Sequence, residues 1–394
     1  MTTSGELGGA ETSLLALLQG VRQAEPAWDL AVLAPAPGRL VDRLGAMGVR
    51  ARVLPFPRPL ARLGEFGRSS AARRGLHRPA AAAASALYAA RLAAALRRER
   101  PDVVHAHGVK MHVLSAIARP RHCSLVWHVH GYLKGRAWTE RATRACASRA
   151  SVIVANSQSV ARDVRRVVGT RADVRAIFNA VDLETFSPCG DCADLDRLCG
   201  LPPAADGTVR AGLVGTFARW KGHHVFLDAL ARIPASVPLR AYIVGDSIYT
   251  TDDSQRGRDE VRREAEDRGV AARVGFSGFV DNVPDVMRAL DIVVHASTEP
   301  EPFGMVIAEA MSCGRAVIAS RSGGAVELFT DGVDALGHAP GDAQDLARAL
   351  QALCSDGALR ARLGTAARLS ATRCFDPRRL AAELVPLYRT IAAA

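Results

Sequence analysis

The chain has 394 residues, 48% of them hydrophobic and 23% charged, which excludes wholesale disorder and leaves room for two or three domains with sizeable cores. Aromatic residues are only 5% of the chain, too few for a nucleic-acid reader built on stacked rings. The net charge of +11 is one-sided: residues 1–205 carry 29 Lys and Arg against 16 Asp and Glu, and residues 206–394 carry 22 against 24.

In chain order, short β-branched runs alternate with Ala/Leu/Arg-rich helical periods. In the first half the expected strands are Leu30–Leu33, Ala51–Leu54, Val103–Ala106, Leu125–Val129, Val152–Ala155 and Val174–Ile177. Helical periods fall near 10–23, 38–47, 80–99, 109–118, 138–148 and 157–168. Residues 187–207 lose the pattern and collect Pro, Gly and Asp, a linker signature. Strands then follow at Ala211–Val214, Arg240–Val244, Val274–Phe276, Ile292–Val294 and Ala316–Ala319. Their helices lie near 222–232, 255–268, 282–289, 303–312, 324–329, 343–354 and 357–372. A last helix begins at Asp376-Pro377, an N-cap followed by an N1 proline. Repeated β-α units imply an α/β fold of two doubly wound, Rossmann-like domains facing a cleft. The expected domains are 1–188, a linker at 189–207, 208–375, and a C-terminal helix, 376–394, packing back on the first domain.

A basic first half points to an anionic partner, although 48 of the 51 cations are Arg in an Ala-rich chain and composition alone would produce such an excess. The densest stretch, Arg58, Arg62, Arg68, Arg73, Arg74 and Arg78, has no interleaved aromatics and suits phosphate or lipid head groups better than bases. No apolar run approaches the roughly 20 residues of a membrane span, and the start MTTSGELGGAE lacks the regions of a secretory signal. The chain therefore reads as cytoplasmic, with peripheral membrane contact as an expectation, and its eight cysteines as reduced thiols. Cys189-x-x-Cys192 with Cys199 lacks a fourth ligand for structural zinc, and Asp194-Leu-Asp196 sits in the linker, so no metal is expected at either.

Ligands of open α/β sheets bind outside the carboxyl ends of strands, so loops after strands are where chemistry is expected. The first such loop is Gly215-Thr-Phe-Ala-Arg219-Trp-Lys221-Gly222, whose two cations suit a diphosphate. The second is Glu301-Pro-Phe-Gly-Met-Val-Ile-Ala-Glu309, where Pro302 and Gly304 break a strand and open a helix. This is expected to expose the backbone N–H groups of Gly304, Met305 and Val306, which can hydrogen-bond hydroxyls or phosphate. Glu309 lies about five residues into the helix, roughly 7.5 Å along its axis, so Glu301 and Glu309 suit two separate pairs of vicinal hydroxyls, one on a hexose and one on a ribose. A dipole-complementing charge and a solvated helix face are the plainer readings of these glutamates, but Glu309 sits in an apolar helix where a carboxylate needs a partner.

GTFARWKGH together with EPFGMVIAEAMSCGRAVIASRSGG resembles the retaining glycosyltransferases of family four, which have the GT-B fold. Gly8-Gly9-Ala10-Glu11, His128-Val-His130-Gly131, Asn156-Ser157 and FNAVDLETFSP are similar to other parts of that family. The resemblance implies a hexosyltransferase with a UDP- or GDP-linked sugar as co-substrate and no cofactor or metal. Glu301 would bind a donor-sugar hydroxyl, helped by the amides of Gly304, Met305 and Val306, with Gly215 and Phe303 in the same donor-binding set. Glu309 would take the ribose hydroxyls, and Arg219 and Lys221 the leaving diphosphate. From the other domain Gly9 would bring a backbone N–H to the phosphates, and His130 matches the active-site histidine. His105, His107 and His128 are expected to be packing histidines with their hydrogen bonds satisfied.

Two departures stand out. Thr216 occupies the position where the family often has arginine, and only seven residues precede Gly8, so the sheet is expected to lack a leading strand. The acceptor is expected to be a lipid-linked or surface glycan. A dehydrogenase is disfavoured because no G-x-G-x-x-G follows a strand. A sugar-nucleotide epimerase and a sugar-nucleotide-binding protein of the same fold remain as alternatives.

Overall fold

Strands of a parallel sheet are covered by helices on both faces, so they consist of short, almost wholly apolar runs such as Val152-Ile-Val-Ala155 and Ala316-Val-Ile-Ala-Ser320, in which every residue is buried. The computed structural model describes residues 1–61, 78–246 and 256–393, so Arg62, Arg68, Arg73 and Arg74 of the basic stretch lie outside the described residues. Contacts divide the chain into two units, Met1–Ala180 with Pro377–Ala394, and Val181–Asp376.

The first unit runs α1 (Gly9–Ala24), β1 (Ala31–Ala34), α2 (Arg39–Ala46), β2 (Arg50–Val53), α3 (Arg58–Ala61), α4 (Arg78–Glu99), β3 (Val103–His107) and α5 (Val109–Ala118). It continues with β4 (Ser124–Val129), α6 (Ala137–Cys146), β5 (Val152–Ala155), α7 (Gln158–Val168) and β6 (Val174–Ala176). β1 pairs with β2, and β3, β4, β5 and β6 form a separate parallel sheet in that order. Met1 and Thr2 run between the two pieces: the Thr2 amide donates to Leu33 at 3.1 Å, and the His107 amide to Met1 at 2.8 Å. No regular strand occupies that place among the described residues.

One face of this layer packs Leu92, Leu114, Trp127, Ile153 and Val164. The other packs Leu14, Leu18, Val126, Val154, Leu380 and Leu384, which brings the last helix into the core. That helix docks so closely that a Cβ on Gly20 of α1 would stand 2.2 Å from the Pro377 carbonyl oxygen. Arg389 also pairs with Glu25 at 2.5 Å.

The second unit contains α8 (Leu195–Cys199), β7 (Val209–Val214), α9 (His223–Ala231), β8 (Leu239–Val244), α10 (Arg258–Asp267), β9 (Val274–Gly278) and α11 (Val283–Ala289). Then come β10 (Ile292–His295), α12 (Met305–Ser312), β11 (Ala316–Ser320), β12 (Leu336–His338), α13 (Ala343–Ser355) and α14 (Gly357–Cys374), and α15 (Pro377–Ala392) returns to the first unit. Its six parallel strands lie in the order β12-β11-β10-β7-β8-β9. The order reverses between β7 and β10, which makes their carboxyl ends the topological switch point.

Three local readings are corrected. The expected helix at 324–329 is only a 3-10 turn, Ala325–Glu327, and β12 was not anticipated because three residues carry too little periodicity to read. The supposed linker contains α8: Asp194 caps it by accepting from the Arg197 amide, and Asp196 is buried, accepting from Arg240 and Tyr242 at 2.7 Å each. Residues 185–191 are likewise held in the second unit, because the Arg288 guanidinium donates to the Asp191, Thr185 and Ser187 carbonyls. Paired, charged side chains gave this segment a polar composition that mimics a solvated linker.

Candidate active site

The two loops singled out by sequence both leave strands at the switch point of the second unit, one after β7 and one after β10. They are joined by the Thr298 amide, which donates to the Trp220 carbonyl at 2.8 Å. The approach requires glycine at 222. Its φ is +74°, and a Cβ there would meet the Ala296 carbonyl oxygen at 1.9 Å.

Lys221 ends the short turn before α9, and its ammonium lies 4.1 Å from the centre of the Trp220 ring. It donates to Glu301 Oε2 at 2.9 Å. The same oxygen accepts from Ser297 Oγ at 3.0 Å and faces His295 Nε2 at 3.2 Å. Burial would raise the Glu301 pKa, but the Lys221 charge and the His295 bond outweigh it and hold the carboxyl well below its ordinary range. The Glu301 backbone is fixed too, its carbonyl accepting from the Gly324 amide at 2.6 Å. Breaking such an ion pair strands a buried charge, so the two residues stabilise as a unit.

Gly304, with φ +102°, precedes α12, and no side chain caps this helix. The first turn, with Met305 and Val306, thus opens at a helix end that favours negative charge. Just over one turn in, the Glu309 carboxyl makes no hydrogen bond among the described residues. Burial pushes its pKa up to about 7, and the nearby Lys221 charge pulls the other way. Lys221 thus feels both glutamates, and the site holds one carboxylate fixed as an anion and a second poised to titrate.

Other sequence candidates are placed differently. Arg219 is 56% exposed and faces Glu260 of α10 at 3.6 Å, so each cation of the loop has its own carboxylate. Phe303 is buried with its ring edge-on to Phe375, which puts its side chain in the core. Gly215 follows β7 directly, its amide donating to Val244. In the first unit Gly9 is the first residue of α1, beside a buried Glu11 that accepts from Thr2 Oγ1 at 3.0 Å. His130 follows β4, and its Nε2 lies 2.8 Å from His107 Nδ1. Burial, with a lesser contribution from His112, lowers the His130 pKa to about 3.

His105, His107 and His128 do pack in the interior, but their bonding is incomplete: His105 Nε2, His107 Nε2 and both nitrogens of His128 are buried without a partner. Sequence reasoning did not pick out His295 and Ser297. Polar residues at the carboxyl end of the otherwise apolar run DIVVHAS were the available signal.

A chain of two Rossmann-like units, one with Lys221, Glu301 and the start of α12 gathered at its switch point, has the make-up of a nucleotide-sugar glycosyltransferase of the GT-B class. Residues 204–370 match the family model described as Glycosyl transferases group 1, and residues 7–185 that of Glycosyltransferase Family 4. LpsE of Rhizobium meliloti (strain 1021), a lipopolysaccharide core biosynthesis glycosyltransferase, is 31% identical over 268 residues, covering 68% of this chain and 69% of LpsE. The crystal structure of Anabaena HepE in complex with UDP superimposes with a TM-score of 0.79 at 28% identity, covering 99% of this chain and 98% of that one. HepE in complex with UDP-glucose gives 0.79 at 27%, covering 98% of each chain. The chain belongs to glycosyltransferase family 4, and its reaction is glycosyl transfer from a nucleotide-sugar donor.

Proposed function

We propose that this chain moves a hexosyl unit from a UDP-sugar to a hydroxyl of a lipid-linked or surface glycan, with retention at the anomeric carbon and without a metal at the donor site. The observation that carries the reading is the Lys221–Glu301 pair set beside Glu309 and the mouth of α12. UDP rather than GDP is favoured by the likeness to HepE, crystallised with UDP and with UDP-glucose. The acceptor class is favoured by the likeness to LpsE.

In the proposed step the bond from the sugar C1 to the diphosphate oxygen breaks, and its electron pair goes to that oxygen. The acceptor oxygen bonds to C1 on the same face, and its proton passes to the departing phosphate. Negative charge grows on the diphosphate, where the Lys221 ammonium and the α12 amides meet it. Lys221 has three donors and can serve Glu301 and a phosphate together. Arg219 adds a second cation by swinging from its exposed contact with Glu260. Glu301, held well below its ordinary pKa, is a weak base, so it orients a sugar hydroxyl rather than taking a proton. That leaves the phosphate oxygen as the base, as a front-side route requires. Glu309 accepts from the ribose hydroxyls.

Purified protein with UDP-glucose, and separately with GDP-linked hexose, should release nucleotide faster from the UDP-sugar when a glycan acceptor is added. Proton NMR of the product should show the donor's anomeric configuration. An inverted anomer, or turnover of the GDP-sugar alone, would reject the corresponding part of the reading.

No helix among the described residues is long and apolar enough to cross a membrane. We infer peripheral contact instead, supported by Lys134, Arg136, Trp138 and Arg141, all exposed around the start of α6. Co-sedimentation with anionic vesicles that weakens as salt rises is the expected result, and equal binding to neutral vesicles would refute it.

A further inference from the structure

The incomplete bonding of the histidines in the first unit has a chemical reading. Residues two apart on a strand share a face, which aligns His105 with His107, and the β3–β4 register pairs His107 with His128. His105 stacks on both His107 and His128, which are tilted to each other by 40°, with all three centroids 4.8 to 5.2 Å apart. His107 is 2% and His128 0% exposed. One ring nitrogen from each of the three lies within 4.8 Å of the others.

The orientation of the rings is specific. His105 turns Nδ1 to the Tyr388 hydroxyl, and His107 turns Nδ1 to His130. Each therefore presents Nε2 with no partner, and His128 has neither nitrogen bonded. A buried polar atom left unpaired costs about 1–3 kcal/mol, so several gathered at one point require a reason.

We propose that His105, His107 and His128 bind a divalent late first-row transition ion of the zinc type, through Nε2 of the first two and one ring nitrogen of the third. Imidazole suits zinc, and three histidines leave a fourth position for water. Zinc–nitrogen bonds of about 2.0–2.1 Å in a tetrahedral site put the nitrogens about 3.4 Å apart, so nitrogens that now lie within 4.8 Å of one another would draw closer around the ion. Ligating histidines characteristically donate their other ring N–H to a polar neighbour, and Tyr388 and His130 stand where those neighbours belong. Burial lowers the pKa of all three imidazoles, so they are neutral and ready to ligate. With the ion on Nε2, His107 keeps its proton on Nδ1 and donates it toward His130, so the ion fixes the tautomer beside that residue. The proposal does not rest on the transferase reading.

The test uses the full chain without an affinity tag, stripped with a chelator and titrated with Zn²⁺ and with Co²⁺. One ion should bind per chain, Co²⁺ should give the intense visible bands of a four-coordinate site, and Zn²⁺ should raise the melting temperature. His107→Gln and His128→Gln should lose the ion, while His122→Gln, at an exposed position, should keep it. Tyr388→Phe preserves the packing but removes the partner of His105, so zinc affinity should fall about 10–100-fold. Should the histidine variants fail to fold, the wild-type Co²⁺ spectrum and the Tyr388→Phe affinity decide. Absent four-coordinate bands, or binding that His107→Gln, His128→Gln and Tyr388→Phe leave unchanged, would overturn the site in favour of surface histidines.

Discussion

Lys221→Ala should lower transfer by about 10²–10³-fold, the loss seen when one preorganised donor to a developing anion is removed. The residue has two tasks, and the experiment must separate them. Lys221 is 19% and Glu301 10% exposed at the side chain, so removing the ammonium leaves a largely buried carboxylate that keeps Ser297 and His295 but loses its cation. Some stability should therefore go as well, about 1–3 kcal/mol and less than for a wholly abandoned buried charge. Adding Glu301→Gln replaces the stranded anion with a neutral amide, so the double variant should recover most of the melting temperature. The rate should stay low, because no cation meets the diphosphate. Recovery of both would reduce Lys221 to a structural partner, and near-normal turnover in Lys221→Ala would remove it from the chemistry altogether.

Glu309→Gln should change binding and stability in opposite directions. Its ordinary pKa is 4.5 and burial raises it to about 7. Between those values the folded state holds a proton that the unfolded chain has released. The stabilisation this gives is complete below pH 4.5 and is lost as pH rises through 7. At about 1.4 kcal/mol per pH unit its ceiling is about 3 kcal/mol, and solvent reaching the partly exposed carboxyl reduces it. Glu301 acts with the opposite sign: its depressed pKa stabilises above about pH 4.5, and that contribution is lost on acidification.

At pH 8 the ligand-free Gln variant should thus melt higher than wild type, yet bind UDP about 10–100-fold more weakly for want of charged hydrogen bonds to the ribose. Wild-type affinity should rise between pH 6 and 8 as Glu309 ionises. The phosphate titrates nearby, so the difference between the wild-type and variant profiles by calorimetry is the quantity to read. Parallel profiles would place Glu309 outside the nucleotide site.

How much of this was legible beforehand depends on how local the signal was. The strands β4, β5 and β10 were readable to within a residue or so, because burial on both faces forces unbroken apolar runs. Helices α5 and α7 were readable from their periods, and the structure adds that Ser157 caps α7, its hydroxyl accepting from the Val160 amide at 3.0 Å. α8 was missed because its polarity comes from Asp196, which looks solvated in the sequence and is buried against Arg240 and Tyr242 in the fold. The same holds for His295: its role comes from an oxygen six residues away along a folded loop, which no strand pattern reveals.

By itself the amino-acid sequence determined the alternation of strands and helices, the switch-point loops and the residue types they carry, since these follow from apolar periodicity and from glycine and proline placement along the chain. Only the tertiary structure decided that Lys221 bonds to Glu301 while Arg219 turns to Glu260, and that three histidines from neighbouring strands meet with nitrogens unpaired. The reason is range: backbone preferences act over a few residues, whereas ionic and hydrogen-bond partners are chosen by distances that exist only once the sheets have assembled.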